Sequence, residues 1–404
     1  MIMIKNFSDI NEIEKRTFYY LCGFSLFLPI SKALGNIFMA LSILGMIHRL
    51  YRKNDDVKII FSEYKNIFAT IGILFAAVVI SALSSADILF GLKSFVDKYI
   101  GHILVLFPII LICLDRKKIL KLVQILLAGV FISNVAVIVQ GIKNLDGIWR
   151  FGGFLTAMAQ GSLIGIILPL YAVLILHIQK KSLRIYFIFA AVVAVVALLF
   201  NGTRGVYLSS AILIPAMILI YSRKNLKAFG IVIAILLVVS GMFVFALNSA
   251  ATSETLSDMR AKSNSERMLV WTSAFNMFKD HPIFGVGYGQ YKFEYKEKYI
   301  SPYAKEPYLE HAHSNILQLL AECGILGAAS FVFMWGYLTF YSLRRWFKDK
   351  KFEWLLFFCV LSGFMLHGLT EFNFETSVPS KFLWYSLGLC IAYDKISKNS
   401  AGVY

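Results

Sequence analysis

Long apolar runs, separated by short charged or Gly/Pro-containing connections, recur through almost the whole chain. They fall near 17–31, 36–50, 67–85, 99–114, 119–142, 155–177, 185–200, 205–222, 229–248, 323–343, 352–368 and 381–394. A helix needs ~20 mostly apolar residues to cross a bilayer. Inside lipid every backbone N–H and C=O must be paired within the protein, which a helix does by itself. The chain is 58% apolar and 16% charged, with a mean hydropathy of +0.69, whereas a soluble domain is roughly 45–50% apolar and 25% charged. The pattern predicts an all-α, polytopic membrane protein with about 12 transmembrane helices, and it excludes a soluble enzyme and a disordered chain. Cys22, Cys113, Cys323, Cys359 and Cys390 show neither CxxC nor paired spacing and read as small packing residues, which excludes a disulfide scaffold.

Charge placement sets an orientation. The formal charge is +16, but no Lys/Arg-rich segment interleaved with aromatics suggests nucleic acid. Lysines and arginines crowd alternate connections: Arg49, Arg52 and Lys53; Arg116, Lys117 and Lys118; Lys180, Lys181 and Arg184; Arg344, Arg345 and Lys348. The connections between them hold only Lys32, Lys93, Lys98, Lys143, Arg150, Arg204 and Lys381. The positive-inside bias predicts both termini in the cytoplasm and the long segment 249–322 outside. Residues 1–248 are expected to carry the first nine spans, 249–322 a helical extracytoplasmic subdomain, and 323–404 the last three spans. Within 249–322, Ser263–Glu266 reads as a capping box opening a helix. Met268, Trp271, Phe275 and Phe278 share one face of it, and Asp280-His281-Pro282 ends it.

The residues suited to chemistry collect on the outer side. Arg204, in Asn201-Gly202-Thr203-Arg204-Gly205, stands where two spans meet with almost no loop. Arg150, in Arg150-Phe151-Gly152-Gly153-Phe154, and Arg267, on the external helix, are two more outer arginines. A guanidinium is a planar fork of donors suited to phosphate oxygens, although each of the three alone also reads as an interfacial or solvated charge. Glu310-His311-Ala312-His313-Ser314-Asn315 follows, where the chain re-enters the membrane. A histidine there suits a general base. Zinc would need further ligands that the sequence does not supply, so no metal and no cofactor is expected.

In their order along the chain, these features resemble the O-antigen ligase superfamily, which also holds O-antigen polymerases and O-oligosaccharyltransferases. The resemblance rests on Arg150–Phe154, Thr203-Arg204-Gly205, and the long loop with Arg267, Trp271 and Pro282–Gly287. Its strongest element is His313-Ser314, nine residues, then Gly324-Ile325-Leu326-Gly327. The resemblance implies a GT-C-like transferase in the bacterial inner membrane with its active site facing the periplasm. Its partners would be an undecaprenyl-pyrophosphate-linked glycan donor, a lipid A–core acceptor and the bilayer, with no nucleic acid. It implies His313 as the catalytic base and Arg204, Arg267 and Arg150 as the pyrophosphate clamp, with His311, Ser314 and Glu310 as possible supports. A polymerase or an oligosaccharyltransferase of the same superfamily is the alternative, and a polytopic glycolipid transporter the alternative from another class.

Overall fold

The computed structural model describes residues 2–52, 60–113, 115–144, 150–222, 254–305 and 309–401. Among them all regular structure is helical. The long helices are α1 (Ile2–Phe27), α2 (Lys32–Arg52), α3 (Lys65–Leu83), α4 (Ile88–Ile112, broken by a π turn at Val96–Ile100), α5 (Arg116–Lys143), α6 (Ala157–His177), α7 (Lys181–Asn201) and α8 (Arg204–Ser222). After these come α9 (Glu254–Asp280), the short α10 (Tyr291–Glu294), α11 (Asn315–Asp349), α12 (Phe352–His367) and α13 (Ser377–Ala401). Eight of the described helices are long and apolar enough to cross a membrane, so this is a multi-pass integral membrane protein. The apolar run near 229–248 lies outside the described residues.

Polar side chains set where the helices begin. Asp87, Asp115 and Thr156 accept hydrogen bonds from Phe90, Lys117 and Ala159 amides at the starts of α4, α5 and α6, satisfying donors that a helix leaves orphaned. Between α7 and α8 the chain reverses on Gly202, whose φ of +65° is a left-handed helix cap open to glycine. The enclosed centre of the bundle is α6 and α12, packed on each other, with α7 and α8 against α6 and with α11 and α13 against α12. α2 is the least enclosed, with Leu34, Ile37, Leu44 and Ile47 exposed; these apolar side chains suit contact with lipid.

The two ends of the bundle differ. At one end, Asp394 of α13 is fully buried and takes Arg345 at 2.7 and 2.8 Å, Tyr64 at 2.8 Å, Lys398 at 3.3 Å and Lys351 at 3.5 Å. This ionic knot ties α3, α11 and α13 together beside the basic connections. The other end gathers the starts of α2, α6, α8, α11 and α13, and α9 packs there against α11.

Two expectations for α9 need correction. The helix starts by Glu254, so Ser263–Glu266 lies inside it, and Glu266 instead accepts the Lys305 amide at 3.1 Å on both oxygens. Upstream residues such as Leu256, Met259, Arg260 and Ala261 are good helix formers and carry the helix past the apparent cap. The face turned inward is Val270, Ser273, Ala274 and Met277, whereas Met268 and Phe275 are exposed. The helix ends at Asp280 ahead of Pro282, as its sequence predicts.

Candidate active site

The Gly-x-x-Gly signature is a break in a helix. Gly324 sits within α11 at φ +60°, ψ −158°, a conformation that an L side chain rarely adopts. The break turns the carbonyls of Ala321 and Glu322 outward, where they accept the amides of Val286 (2.9 Å) and Gly287 (3.1 Å). Glu322 O also takes the Ser81 hydroxyl at 2.7 Å, and Ile325 N donates to Pro282 O at 2.9 Å. The chains touch backbone to backbone: a Cβ on Gly324 would stand 2.4 Å from Ile283 O, and one on Gly285 2.3 Å from Glu322 C. Pro282–Gly287 and Gly324 thus form one joint between the external segment and α11.

About two and a half turns earlier, α11 opens on the histidine pair. Ser314 caps the helix by accepting the Leu317 amide, and the Gln318 side chain accepts the Ala312 amide at 2.7 Å. His313 is held at φ +48°, strain that costs of order 1–3 kcal/mol for a non-glycine residue and persists only where its surroundings impose it. Those surroundings are the α12–α13 connection. Asn315 donates its backbone N–H to Gly368 O (2.8 Å) and its amide N–H to Asn373 Oδ1 (2.8 Å), and its Oδ1 accepts Asn373 N and Phe374 N, both at 3.1 Å. This side-chain zipper brings Glu371 to His313.

Glu371 is 4% exposed and forms the centre of the site. Its Oε1 accepts from His313 Nδ1 at 3.1 Å and from Phe372 N at 3.2 Å. Its Oε2 lies 3.8 Å from Arg267 Nη2. Burial would raise its pKa, but the hydrogen bond from His313 and the imidazoles of His313, His311 and His367 outweigh it and hold the carboxyl at about 2. With Nδ1–H donated to this carboxylate, a neutral His313 keeps its lone pair on Nε2. The His311 ring packs edge-on to it at 4.5 Å, its Nδ1 buried without a hydrogen-bond partner among the described residues. Burial first, and His313 second, lower its pKa to about 4, so it is neutral near pH 7. His311, His313 and Glu371 each offer one ligand atom, all within 4.8 Å of one another. That is three donors of the kind that can hold zinc, an arrangement the sequence did not reveal. Glu310 is exposed beside them.

The arginines approach from three elements. Arg267 on α9 reaches Glu371, with its side chain 26% exposed. Arg204 is half-buried at the first position of α8. Its neighbour Gly205 lies so close to the Glu371 connection that a Cβ there would meet Thr370 Oγ1 at 2.6 Å and His367 Cδ2 at 3.3 Å. His367 is buried, with Nδ1 2.9 Å from Ser162 Oγ of α6. Arg150 is exposed, and its described polar contact is Met158 Sδ at 3.9 Å. Its loop is pinned to the Arg204 turn because Asn201 donates to Phe151 O (2.8 Å) and Ala157 O (2.9 Å). Arg267 and His313 therefore meet on Glu371, with the start of α8 adjacent and Arg150 on the rim. Glu371, Asn315, Asn373 and His367 escaped sequence reasoning. The only available signal was a carboxylate placed between two apolar runs, in His367-Gly-Leu-Thr-Glu371.

Residues 189–332 match the family model for the O-Antigen ligase. Over 307 residues the chain is 23% identical to the O-antigen ligase of Salmonella typhimurium strain LT2, an alignment covering 73% of this chain and 75% of that protein. The matched domain contains Arg204, Arg267 and His313, whereas Arg150 and Glu371 lie outside it. Residues 189–332 are thus similar to an O-antigen ligase domain, and the chain is similar to a known O-antigen ligase along most of both sequences.

Proposed function

We propose that this glycosyltransferase-type enzyme of lipopolysaccharide synthesis moves a glycan from undecaprenyl pyrophosphate to a sugar hydroxyl of the lipid A–core. The reaction runs at the periplasmic face of the inner membrane by a single inverting displacement. The observation that carries this reading is Glu371 shared between His313 and Arg267. His313 Nε2 takes the proton of the acceptor hydroxyl as its oxygen bonds to C1 of the glycan. The C1–O bond to pyrophosphate breaks, and the leaving group departs with the electron pair. Arg267 and Arg204, with Arg150 at the rim, meet the charge that develops there, an effect whose loss typically costs ~10²–10³ in rate. Glu371 keeps Nδ1 protonated and stabilises the imidazolium once it forms, as an acidic partner does for a histidine base. The three named arginines supply positive charge without a metal ion.

Both comparisons carry the name ligase, which supports that reading over a polymerase. The test is transfer in proteoliposomes with donor and acceptor supplied. His313→Ala is expected to lower turnover by ~10²–10⁴, and a chelator to leave it unchanged. Full turnover by His313→Ala would remove the histidine from the chemistry. Activity lost to chelator and restored by a divalent ion would replace the proposed base with a metal held by His311, His313 and Glu371. In a deletion strain, accumulated lipid-linked polymer fits a ligase, and accumulated single repeat units a polymerase.

A further inference from the structure

The histidine pair beside Glu371 offers more than a base. His311, His313 and Glu371 each present one ligand atom, all within 4.8 Å of one another, and the described residues hold no second such group. Two donors on a tetrahedral zinc, each ~2.0–2.1 Å from the metal, stand ~3.3 Å apart. His313 Nδ1 and Glu371 Oε1, at 3.1 Å, already have nearly that spacing. The His311 ring packs edge-on to His313 with centroids 4.5 Å apart, and its Nδ1 is buried without a hydrogen-bond partner among the described residues. Such an atom carries a desolvation cost that a bound ion would offset. A histidine ring turns about χ2 in a broad, two-fold well, so rotation of His311 closes a remaining gap of up to roughly 1.5 Å. Phe372 N, at 3.2 Å from Oε1, steadies the carboxylate as an outer partner does in metal sites. The His313 side chain is 22% exposed, which leaves a way in.

Two imidazoles and a carboxylate are a ligand set for a zinc ion that keeps its fourth position for water. Magnesium and calcium prefer oxygen ligands, and more of them than this group supplies. We infer that His311, His313 and Glu371 form a zinc site that switches the transferase off. The inhibition, though not the binding, rests on His313 being the base. Coordination through Nδ1 displaces the hydrogen that Nδ1 gives to Glu371. The neutral ring then carries its hydrogen on Nε2, where the base needs a lone pair. Coordination through Nε2 occupies that lone pair outright. Arg267 Nη2, 3.8 Å from Glu371 Oε2, sets a cation beside the ion and opposes its tight retention.

The test uses the full chain, without an affinity tag of histidines and stripped with chelator. In maltoside micelles, zinc is titrated in competition with a chromophoric chelator. The wild type is expected to take up a single zinc ion, and His311→Asn to bind it at least about tenfold more weakly. In the proteoliposome transfer assay, zinc is expected to stop wild-type turnover. His311→Asn is expected to keep its zinc-free turnover within about an order of magnitude and to need at least about tenfold more zinc to stop. Glu371→Gln, read for binding alone, gives the same answer if His311→Asn fails to fold. Zinc affinity unchanged in both His311→Asn and Glu371→Gln would overturn the site and leave His313 standing as the base. Zinc held through His311 with no loss of turnover would overturn the inhibition, and with it His313 as the base. Magnesium stopping turnover at the same concentration would overturn zinc as the ion.

Discussion

At the level of single side chains, the site turns on how Glu371 is ionised. Its carboxyl titrates at about 2, far below the ordinary 4.5. A depressed carboxylate contributes fully above its ordinary value and loses that contribution only as the pH falls through the folded value. Between pH 5 and 9 it is therefore always charged. The ratio of wild-type to Glu371→Gln turnover is expected to be large, of order 10² or more by comparison with other histidine–carboxylate pairs, and flat over that range. Stopped assays at several pH values check this, and a ratio that climbs between pH 4 and 6 would mean the carboxylate titrates there. His311, neutral above about 4, serves neither as clamp nor as base in this scheme. His311→Asn is expected to keep kcat at pH 7 within about an order of magnitude, measured in the same assay.

Among the elements, the decisive contacts join segments far apart in sequence. Asn315 and Asn373 fasten the start of α11 to the connection between α12 and α13. Asn315→Ala would strand the buried amides of Asn373 and Phe374, at about 1–3 kcal/mol for each unpaired group. A clear fall in melting temperature in detergent is expected, with a parallel loss of transfer as Glu371 leaves His313. Gly324→Ala forces a Cβ into Ile283 O and a strained φ, costing at least ~2 kcal/mol, and the same melting experiment reads it. These elements also show what sequence can convey. The helices follow from apolar runs long enough to span lipid; Arg204 stands out as a charge misplaced for its side, Arg267 as a further outer arginine, and His313 through its spacing to Gly324 and Gly327. Glu371 belongs to no periodic pattern, and only the zipper brings it within reach of a histidine 58 residues away. The start of α9 was misread because a local capping pattern competes with strong upstream helix formers, and tertiary packing decided which face turned inward.

For the molecule as a whole, the polarity of the bundle makes a prediction about sidedness. Tyr303, 80% exposed, lies on the segment that docks beside the histidines, and Tyr51, 87% exposed, lies at the basic end. If the basic end faces the cytoplasm, a cysteine at position 303 reacts with a membrane-impermeant maleimide in intact spheroplasts, and one at position 51 only after lysis. The reverse pattern would invert the proposed topology. At that basic end, Asp394→Asn leaves the cations of Arg345, Lys351 and Lys398 without their shared anion. A lost buried pair costs about 3–5 kcal/mol, to be discounted because these three side chains are partly exposed. Lower thermal stability with an unchanged KM for the donor is expected.

Because one carboxylate answers to both Arg267 and His313, the proposed mechanism couples donor affinity to proton abstraction in descendants of this sequence. In double-mutant cycles, defects at 267 and 313 should be strongly non-additive when Glu371 is present and should become additive once it is replaced. On that mechanism, a lineage that relocates its base must also remodel its grip on the leaving group.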